Sequence, residues 1–319
     1  MDYKILVLSD LTAEEIKILT GVNSKNILIF KELYKVDINI RSNEILFYSG
    51  DTNLFGIFEK HINSIITLIH GKIDVDENTI RQSYLNIINE RDDSWQNKIC
   101  CFGMNGKPFT YKTYNQYLLS KSIDKNDLVF SLGPAGTGKT FVSVLLAYKF
   151  FKEEKVKKII LTRPAVETGE SLGFLPGDLQ EKVDPYLSPI YDALYLLFGQ
   201  EQVDNLKSKN AIEIIPLAYM RGRTLNDSFI ILDEAQNTTP GQMLMFLSRL
   251  GNRSKMIVNG DLTQIDLNTN KTESGLLIAS KKLKGINGID FIEFNNDDII
   301  RNSLVKLILE RFNSWISYL

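Results

Sequence analysis

Residues 133–140 combine three glycines with a final Lys-Thr pair, in the pattern G-x-x-x-x-G-K-T. Glycines let consecutive backbone N–H groups curl around an anion, a lysine can reach the β- and γ-phosphates, and a threonine hydroxyl can bind Mg²⁺. The alternative is a glycine-rich turn with an incidental Lys-Thr. The apolar run at 128–132 predicts a strand before the loop, and the apolar spacing of residues 140–151 predicts a helix after it, which favours the phosphate loop. We therefore predict a nucleoside triphosphate site formed by Gly133, Pro134, Ala135, Gly136, Thr137, Gly138, Lys139, Thr140 and Phe141.

A second motif lies about 90 residues further on, where the apolar residues 229–232 are followed by Asp233 and Glu234. We expect Asp233 to approach Mg²⁺ through a metal-bound water, beside Thr140, and Glu234 to act as the base on the attacking water. Each carboxylate alone could simply end a solvated strand. Together with the phosphate loop, the pair favours catalysis.

A third apolar run, residues 256–258, is followed by polar groups that include Asp261 and Gln264. These side chains suit a group that senses the γ-phosphate and orients water, so Gln264 joins Lys139 and Glu234 as a predicted catalytic residue. The signal is weak alone and strong as the third motif of a nucleotide hydrolase. A small-molecule kinase is the less favoured alternative, because these residues suit an activated water better than a protected acceptor hydroxyl.

The composition is that of a soluble globular protein, with 44% apolar and 24% charged residues among 319 and a net charge of −2. Its two cysteines are adjacent, which argues against a disulfide framework and favours a reducing cytoplasm. No apolar run approaches the roughly 18 residues of a membrane span, and we expect no membrane partner. Residues 1–90 carry a net charge of −4 and residues 91–319 of +2, so contact with a polyanion other than the nucleotide requires a local patch.

The chain is predicted to contain a small α/β domain at 1–94, a linker at 95–110 and an ATPase domain at 111–319. In the first domain we predict strands at 37–41 and 44–48 and helices at 54–70 and 78–90. A helix, two strands and a helix in this order resemble the core of a KH-type RNA-binding module. No GXXG clamp is present between helices and the segment is acidic, so a packing or assembly domain is the alternative.

In the second domain strands alternate with helices, which predicts an α/β fold with a parallel sheet covered by helices on both faces. The length matches one RecA-like core. Residues 168–192, rich in glycine and proline, are predicted to be a long functional connection without regular structure. A closing helix is predicted at 298–312.

Residues 111–312 resemble the PhoH family of P-loop ATPases, which are related to superfamily-one helicases. The resemblance is carried by the phosphate loop, the Asp-Glu strand and five further stretches at 162–167, 173–179, 181–186, 217–226 and 260–266. The N-terminal unit fits the longer members of the family. The resemblance implies ATP hydrolysis with Mg²⁺, a ring-shaped homo-oligomer, with a hexamer favoured, and single-stranded RNA or ribosomal components as partners.

The resemblance also implies roles for two residues outside the three motifs. Gln116 becomes a predicted adenine contact, with a surface glutamine as the alternative. Arg301 becomes a predicted phosphate-sensing catalytic residue, acting in cis or across a subunit interface, with a surface ion pair to Asp297 or Asp298 as the alternative. The chain departs from the family pattern at Ser188, Asn268 and Asn302, where Arg, Pro and His are common.

Two functions are compatible with these predictions. The first is an RNA-linked ATPase, including an RNA helicase; because one motor core cannot walk along a strand alone, it would act as a ring, with Arg301, Arg221 or Arg223 reaching a neighbouring subunit. The second is a slow ATP-controlled switch that regulates a partner in RNA or ribosome metabolism without separating strands.

Overall fold

The computed structural model describes residues 2–164, 179–264, 274–300 and 311, and for residues 179–186 it describes the backbone alone. The chain divides into two compact units. Residues up to Lys98, together with Thr110–Tyr114, form the first unit, whereas Ile99–Phe109 and the chain from Asn115 onward form the second.

The first unit consists of a three-stranded antiparallel sheet and four α-helices within its described residues. The strands lie in the order β1–β3–β2, with Ile5 opposite Leu46 and Ile40 opposite Ile45. The elements are β1 (Lys4–Val7), α1 (Ala13–Thr20), α2 (Lys25–Tyr34), β2 (Ile38–Arg41), β3 (Glu44–Phe47), α3 (Thr52–His70) and α4 (Glu77–Ile88), with 3-10 turns at Val22–Ser24 and Ser94–Asn97.

The predicted strands and helices of this unit are confirmed to within two residues of their ends. Aspartate caps set the starts of the two long helices: Asp51 accepts from the backbone amides of Asn53 and Leu54, and Asp76 accepts from that of Thr79. The apolar faces of the helices and the sheet meet in one core, which includes Phe30, Phe47, Phe58 and Ile62.

The second unit contains, within the described residues, a six-stranded parallel sheet in the order β11–β6–β10–β9–β7–β8. A separate hairpin, β4 (Ile99–Phe102) and β5 (Pro108–Thr110), precedes it. The sheet strands are β6 (Leu128–Leu132), β7 (Lys158–Thr162), β8 (Ile212–Ile214), β9 (Ser228–Leu232), β10 (Lys255–Gly260) and β11 (Ile289–Glu293), and the helices are α5 (Tyr114–Lys125), α6 (Lys139–Lys152), α7 (Leu179–Phe198), α8 (Gln200–Ser208), α9 (Pro240–Leu247) and α10 (Gly275–Lys282).

Helices cover both faces of this sheet, as the sequence predicts. Successive residues of a strand point to opposite faces. Phe229 of β9 packs edge-on against Phe150 of α6, with ring centroids 5.2 Å apart. Its neighbour Ile230 lies in the opposite core with Met243 and Phe246 of α9. The architecture is that of a RecA-like P-loop core.

The interval 95–110, predicted to be a linker, is instead structured and shared between the units. The hairpin β4–β5 belongs to the second unit, where the Met104 amide donates to the Leu197 carbonyl at 3.1 Å. The Tyr148 hydroxyl also donates to the Phe102 carbonyl, at 2.9 Å. Polar residues around Gly103 and Gly106 form a hairpin turn, and composition alone does not distinguish such a turn from a linker.

The irregular connection predicted for 168–192 is wrong from residue 179 onward, where α7 begins; residues 165–178 lie outside the described residues. A proline inside a helix has no backbone N–H to donate, which is why the prolines of this segment did not suggest a helix. The buried side chains of Leu187, Ile190, Leu194 and Leu197 recur at helical spacing, and α7 packs on α6. None of the helices in the described ranges combines the length and the apolar character that crossing a membrane requires.

Candidate functional site

The three predicted motifs meet at one edge of the sheet because their strands are parallel and neighbouring. Gly260 of β10 lies opposite Leu132 of β6, and Val258 of β10 lies opposite Leu232 of β9. The residues that follow these strands therefore lie side by side. They border a pocket of about 440 Å³, which is lined by Ala135, Gly136, Gly138, Lys139, Thr140, Phe141, Asp233, Glu234, Asn259, Gly260, Asp261 and Gln264, and on its α7 side by Pro189, Asp192, Ala193 and Leu196.

The loop between β6 and α6 needs its glycines for two separate reasons. Gly133 and Gly138 have φ of +143° and +80°, values that L side chains rarely adopt. A Cβ at Gly133 would collide with the Phe294 carbonyl, and one at Gly138 would lie 2.9 Å from the Gln116 amide nitrogen. The backbone can therefore curl at the start of α6, whose first-turn amides and dipole favour an anion.

Lys139 is held over this loop. Its ammonium group donates to the carbonyls of Gly133 and Pro134, at 2.6 and 2.8 Å. Burial lowers the pKa of Lys139, and the neighbouring carboxylates, Asp261 most of all, oppose that shift. A phosphate in the loop would give this partly desolvated cation a stronger partner than two neutral carbonyls.

Thr140 and Asp233, the two predicted metal-binding residues, are in contact. The Thr140 hydroxyl donates to Asp233 Oδ1 at 2.8 Å, and the Asp233 side chain is buried. A hydroxyl and a carboxylate are oxygen donors of the kind that Mg²⁺ prefers when phosphates and water complete its shell. The oxygen donors of Thr140 and Asp233 therefore fit the predicted metal.

A buried polar chain behind Asp233 fixes the carboxylate and was not predicted from the sequence. The Asn259 amide donates to Asp233 Oδ1 at 3.3 Å, and the Ser143 hydroxyl donates to the carbonyl oxygen of the same Asn259 side chain at 3.0 Å. This chain connects β9, β10 and α6, so one carboxylate depends on three elements.

Glu234 stands at the mouth of the pocket in an unusual backbone conformation. Its φ and ψ are 55° and 41°, the left-handed region that costs an L residue about 1–2 kcal/mol. Its carboxylate accepts from the Gln236 amide at 2.6 Å, and the Gln236 carbonyl oxygen accepts from the backbone N–H of Asp261 at 3.1 Å. Gln236 is buried, and it joins the predicted base to the third motif.

Asp261 and Gln264 form the third wall of the pocket. Asp261 Oδ1 accepts from the amide and the hydroxyl of Thr263, at 2.9 and 2.6 Å. Its buried Oδ2 accepts no hydrogen bond from any described residue. Gln264 is exposed and lines the pocket. The placement suits the predicted orientation of water by Gln264.

Arg163 was part of a family stretch in the sequence but was given no role there, and the structure places it in the site. It follows β7, whose last residue, Thr162, lies opposite Leu232 of β9. Arg163 therefore reaches Asp233, to which its Nε donates at 2.9 Å. The sequence signal was only an arginine directly after a buried strand.

The remaining predicted residues have different outcomes. Gln116 is buried, and its amide donates to the Thr137 carbonyl at 3.0 Å, so it supports the phosphate loop; an adenine contact stays a prediction. Ser188 is exposed on α7. Arg301, Asn268, Asn302 and most of the predicted closing helix lie outside the described residues.

Comparison with known proteins identifies relatives of this chain. The family of PhoH-like proteins matches residues 109–313. A PhoH-like protein of Bacillus subtilis is 47% identical over 291 residues, covering 89% of this chain and 91% of the relative. One from Mycobacterium tuberculosis is 41% identical over 296 residues, covering 92% and 84%. Among solved structures, the UvsW helicase from bacteriophage T4 gives a TM-score of 0.35 at 14% identity over 63% of this chain and 66% of that one, which is too distant to bear on function.

Proposed function

Because this chain belongs to the PhoH-like protein family, we propose that it hydrolyses ATP with Mg²⁺ and couples hydrolysis to the binding or remodelling of single-stranded RNA, as a ring of identical subunits in the cytoplasm. The observation that carries the hydrolase part is the convergence of Thr140, Asp233 and the linked pair Glu234–Gln236 on one pocket beside the phosphate loop. A protein that only binds nucleotide would need the phosphate loop, but it would not need Glu234 as a base or Gln236 to position it.

The hydrolytic step follows from these positions. Lys139 and the loop amides would bind the phosphates, and Glu234 would take a proton from a water oriented by Gln264. The water oxygen attacks the γ-phosphorus, and the bond from that phosphorus to the β–γ bridging oxygen breaks, giving ADP and phosphate. Mg²⁺, held by Thr140 and through water by Asp233, would supply charge neutralisation on the phosphate oxygens.

The proposal of RNA binding is supported by the turn between α1 and α2. This turn is Gly21-Val22-Asn23-Ser24, where a KH-type module has its GXXG clamp. Gly21, Asn23 and Ser24 all have positive φ, so the last position adopts a backbone that favours glycine although it is serine. Val22 is 85% exposed at the tip. An acidic unit with an imperfect clamp also suits the alternative, a slow switch that binds a protein partner.

The proposal of a ring is supported by the surface around Arg221. Arg221 is exposed and makes no hydrogen bond or ion pair with the described residues, whereas Arg223 donates to Glu213 at 2.7 Å. It borders a shallow concavity of about 660 Å³ with Leu244, which is 71% exposed. An exposed leucine beside an available arginine suits a subunit contact, so Arg221 is the better of the two candidates for reaching a neighbouring nucleotide.

Steady-state ATP hydrolysis by the full chain, with and without single-stranded RNA and at low and moderate salt, tests the proposed function. Stimulation by RNA that fades as salt rises supports an RNA-coupled ATPase, since phosphate contacts weaken with salt. Hydrolysis that RNA leaves unchanged favours the switch function. No hydrolysis in any condition, with the mass and fold intact, contradicts the proposal.

A further inference from the structure

The Asp233 carboxylate is saturated with donors from the protein. Its Oδ1 accepts from Thr140 and Asn259, and its Oδ2 accepts from both Nε and Nη2 of Arg163. An ionised carboxylate offers about four lone-pair positions, and these four bonds use them. A water carried by a metal ion can bind Asp233 only if one of these donors leaves.

The three donor residues differ in what they can do instead. Thr140 can bind the metal through an oxygen lone pair while its proton stays on Asp233, and Asn259 is held in place by Ser143. Arg163 alone brings a full positive charge to the carboxylate. It forms a planar fork with a buried partner, its own side chain being only 14% exposed, so the pair is weakly screened by solvent.

A second carboxylate lies within reach of the same guanidinium. Arg163 Nη2 is 3.7 Å from Glu234 Oε1, and Glu234 is about half exposed. A small rotation of the guanidinium would therefore exchange its buried partner for the exposed one without taking the cation out of the site. The guanidinium of Arg163 can therefore pair with either of two carboxylates. The one to which it now donates two hydrogen bonds, Asp233, is the predicted metal site.

We infer that Arg163 is the resident counter-ion of Asp233, competes with hydrated Mg²⁺ for that carboxylate, and moves to Glu234 when the metal binds. Arg163 is then a positioning residue that sets how much Mg²⁺ nucleotide binding requires. This inference rests on the proposed nucleotide site and adds to it the residue that tunes its metal dependence.

The test is a Mg²⁺ titration of fluorescent mant-ADP binding, which involves neither hydrolysis nor a γ-phosphate. In Arg163→Ala the half-saturating Mg²⁺ concentration should fall about fivefold or more, because the competing cation is gone. Removing one partner of a buried pair can also unfold a protein. Arg163→Lys keeps the charge but loses the fork, and it should shift the midpoint in the same direction by a smaller factor.

A matched control exists at the opposite end of the same strand. Arg253 forks Asp227, the residue before β9, through bonds of 2.6 and 2.8 Å, and it is exposed. Arg253→Gln removes an arginine–aspartate pair that uses the same two donor nitrogens, Nε and Nη2, at residues that do not line the pocket, and its midpoint should equal that of the unaltered chain.

Three results would count against the inference. If the half-saturating Mg²⁺ concentration of both Arg163 variants equals or exceeds that of the control, the inference is overturned, whereas the proposed nucleotide site is unaffected. Weaker binding of mant-AMPPNP with unchanged mant-ADP binding would assign Arg163 to the γ-phosphate and also overturn it. An unaltered chain that binds mant-ADP at no Mg²⁺ concentration would remove the proposed function itself.

Discussion

The Gln236 side chain donates to Glu234 Oε2 at 2.6 Å and accepts from the Asp261 backbone amide at 3.1 Å. One buried amide thus connects the predicted base with the segment that begins the third motif. Because Asp261 N–H can only donate, the amide oxygen of Gln236 must face it and the NH₂ group must face Glu234. The base is therefore held in one orientation toward the pocket.

Gln236→Ala is expected to lower kcat by roughly 10- to 100-fold, because a displaced base loses its alignment with the attacking water. Nucleotide affinity should change little, since Gln236 does not line the pocket. Steady-state kinetics measures kcat, and mant-ADP binding measures the nucleotide affinity. Gln200→Ala, which removes an exposed glutamine at the start of α8 that does not line the pocket, is the control and should keep kcat. Equal kcat in the two variants would contradict the positioning role.

Glu234→Gln should retain ATP and hydrolyse it about 10² to 10⁴ times more slowly, because the amide cannot accept the proton of the attacking water. Glutamine has the same size as glutamate, and the left-handed backbone at position 234, with φ of 55°, costs both residues the same. Single-turnover hydrolysis of bound radiolabelled ATP separates the chemical step from binding. Turnover at the rate of the unaltered chain would remove Glu234 from the role of base.

Lys139→Ala should abolish measurable nucleotide binding, because the phosphates lose the cation that the loop holds next to them. The two loop carbonyls that now accept from Lys139 become available to water, so the fold should survive. Calorimetric titration with Mg·ATP gives the affinity, and circular dichroism checks the fold. Lys255→Ala, at the amino end of β10 and outside the pocket lining, is the control. Unchanged affinity in Lys139→Ala would contradict the assignment of the loop.

Arg221 can be tested for action on a neighbouring subunit by mixing two inactive variants. Arg221→Ala leaves its own pocket intact, and Glu234→Gln leaves its own Arg221 intact. If Arg221 acts across an interface, mixed rings contain sites with both residues and regain hydrolysis that neither variant shows alone. No gain on mixing, with assembly verified by light scattering, would exclude this role for Arg221.

The strands and the phosphate loop were predictable because their signals are local. Continuous apolar runs mark buried parallel strands, and the loop's residue types follow from phosphate binding. Arg163 and Gln236 were not predictable as site residues. Their roles depend on which strands are neighbours and in what register, and the order β6–β10–β9–β7 is not written in any single segment.

Two errors in the fold have the same origin. The helix α7 forms although it contains prolines, because burial of its apolar face against α6 outweighs the backbone hydrogen bonds that the prolines cannot donate. The hairpin β4–β5 is short and its turn is polar, and it is ordered by hydrogen bonds with Tyr148 and Leu197, which lie far away in sequence. Tertiary contacts override local preference in both cases.

His61 is fully buried in the first unit. Its Nε2 faces the Ile80 carbonyl at 2.9 Å and its Nδ1 faces the Tyr34 hydroxyl at 3.1 Å. A carbonyl can only accept, so Nε2 carries the proton and Nδ1 accepts from Tyr34 in the neutral ring. Burial lowers the pKa of His61 to about 4, although the bond to Ile80 opposes the shift.

The unfolded chain binds a proton at His61 near pH 6.5, whereas the folded chain does so only near pH 4. The neutral ring therefore contributes stability that is fully present above pH 6.5 and is lost as pH falls to about 4, by roughly 3 kcal/mol in total. In His61→Gln this part of the pH dependence should disappear. Urea unfolding between pH 7.5 and 4, followed by the fluorescence of the buried Trp95 in a Trp315→Phe background, measures it. A slope retained in His61→Gln would show that other groups cause the acid sensitivity of the first unit.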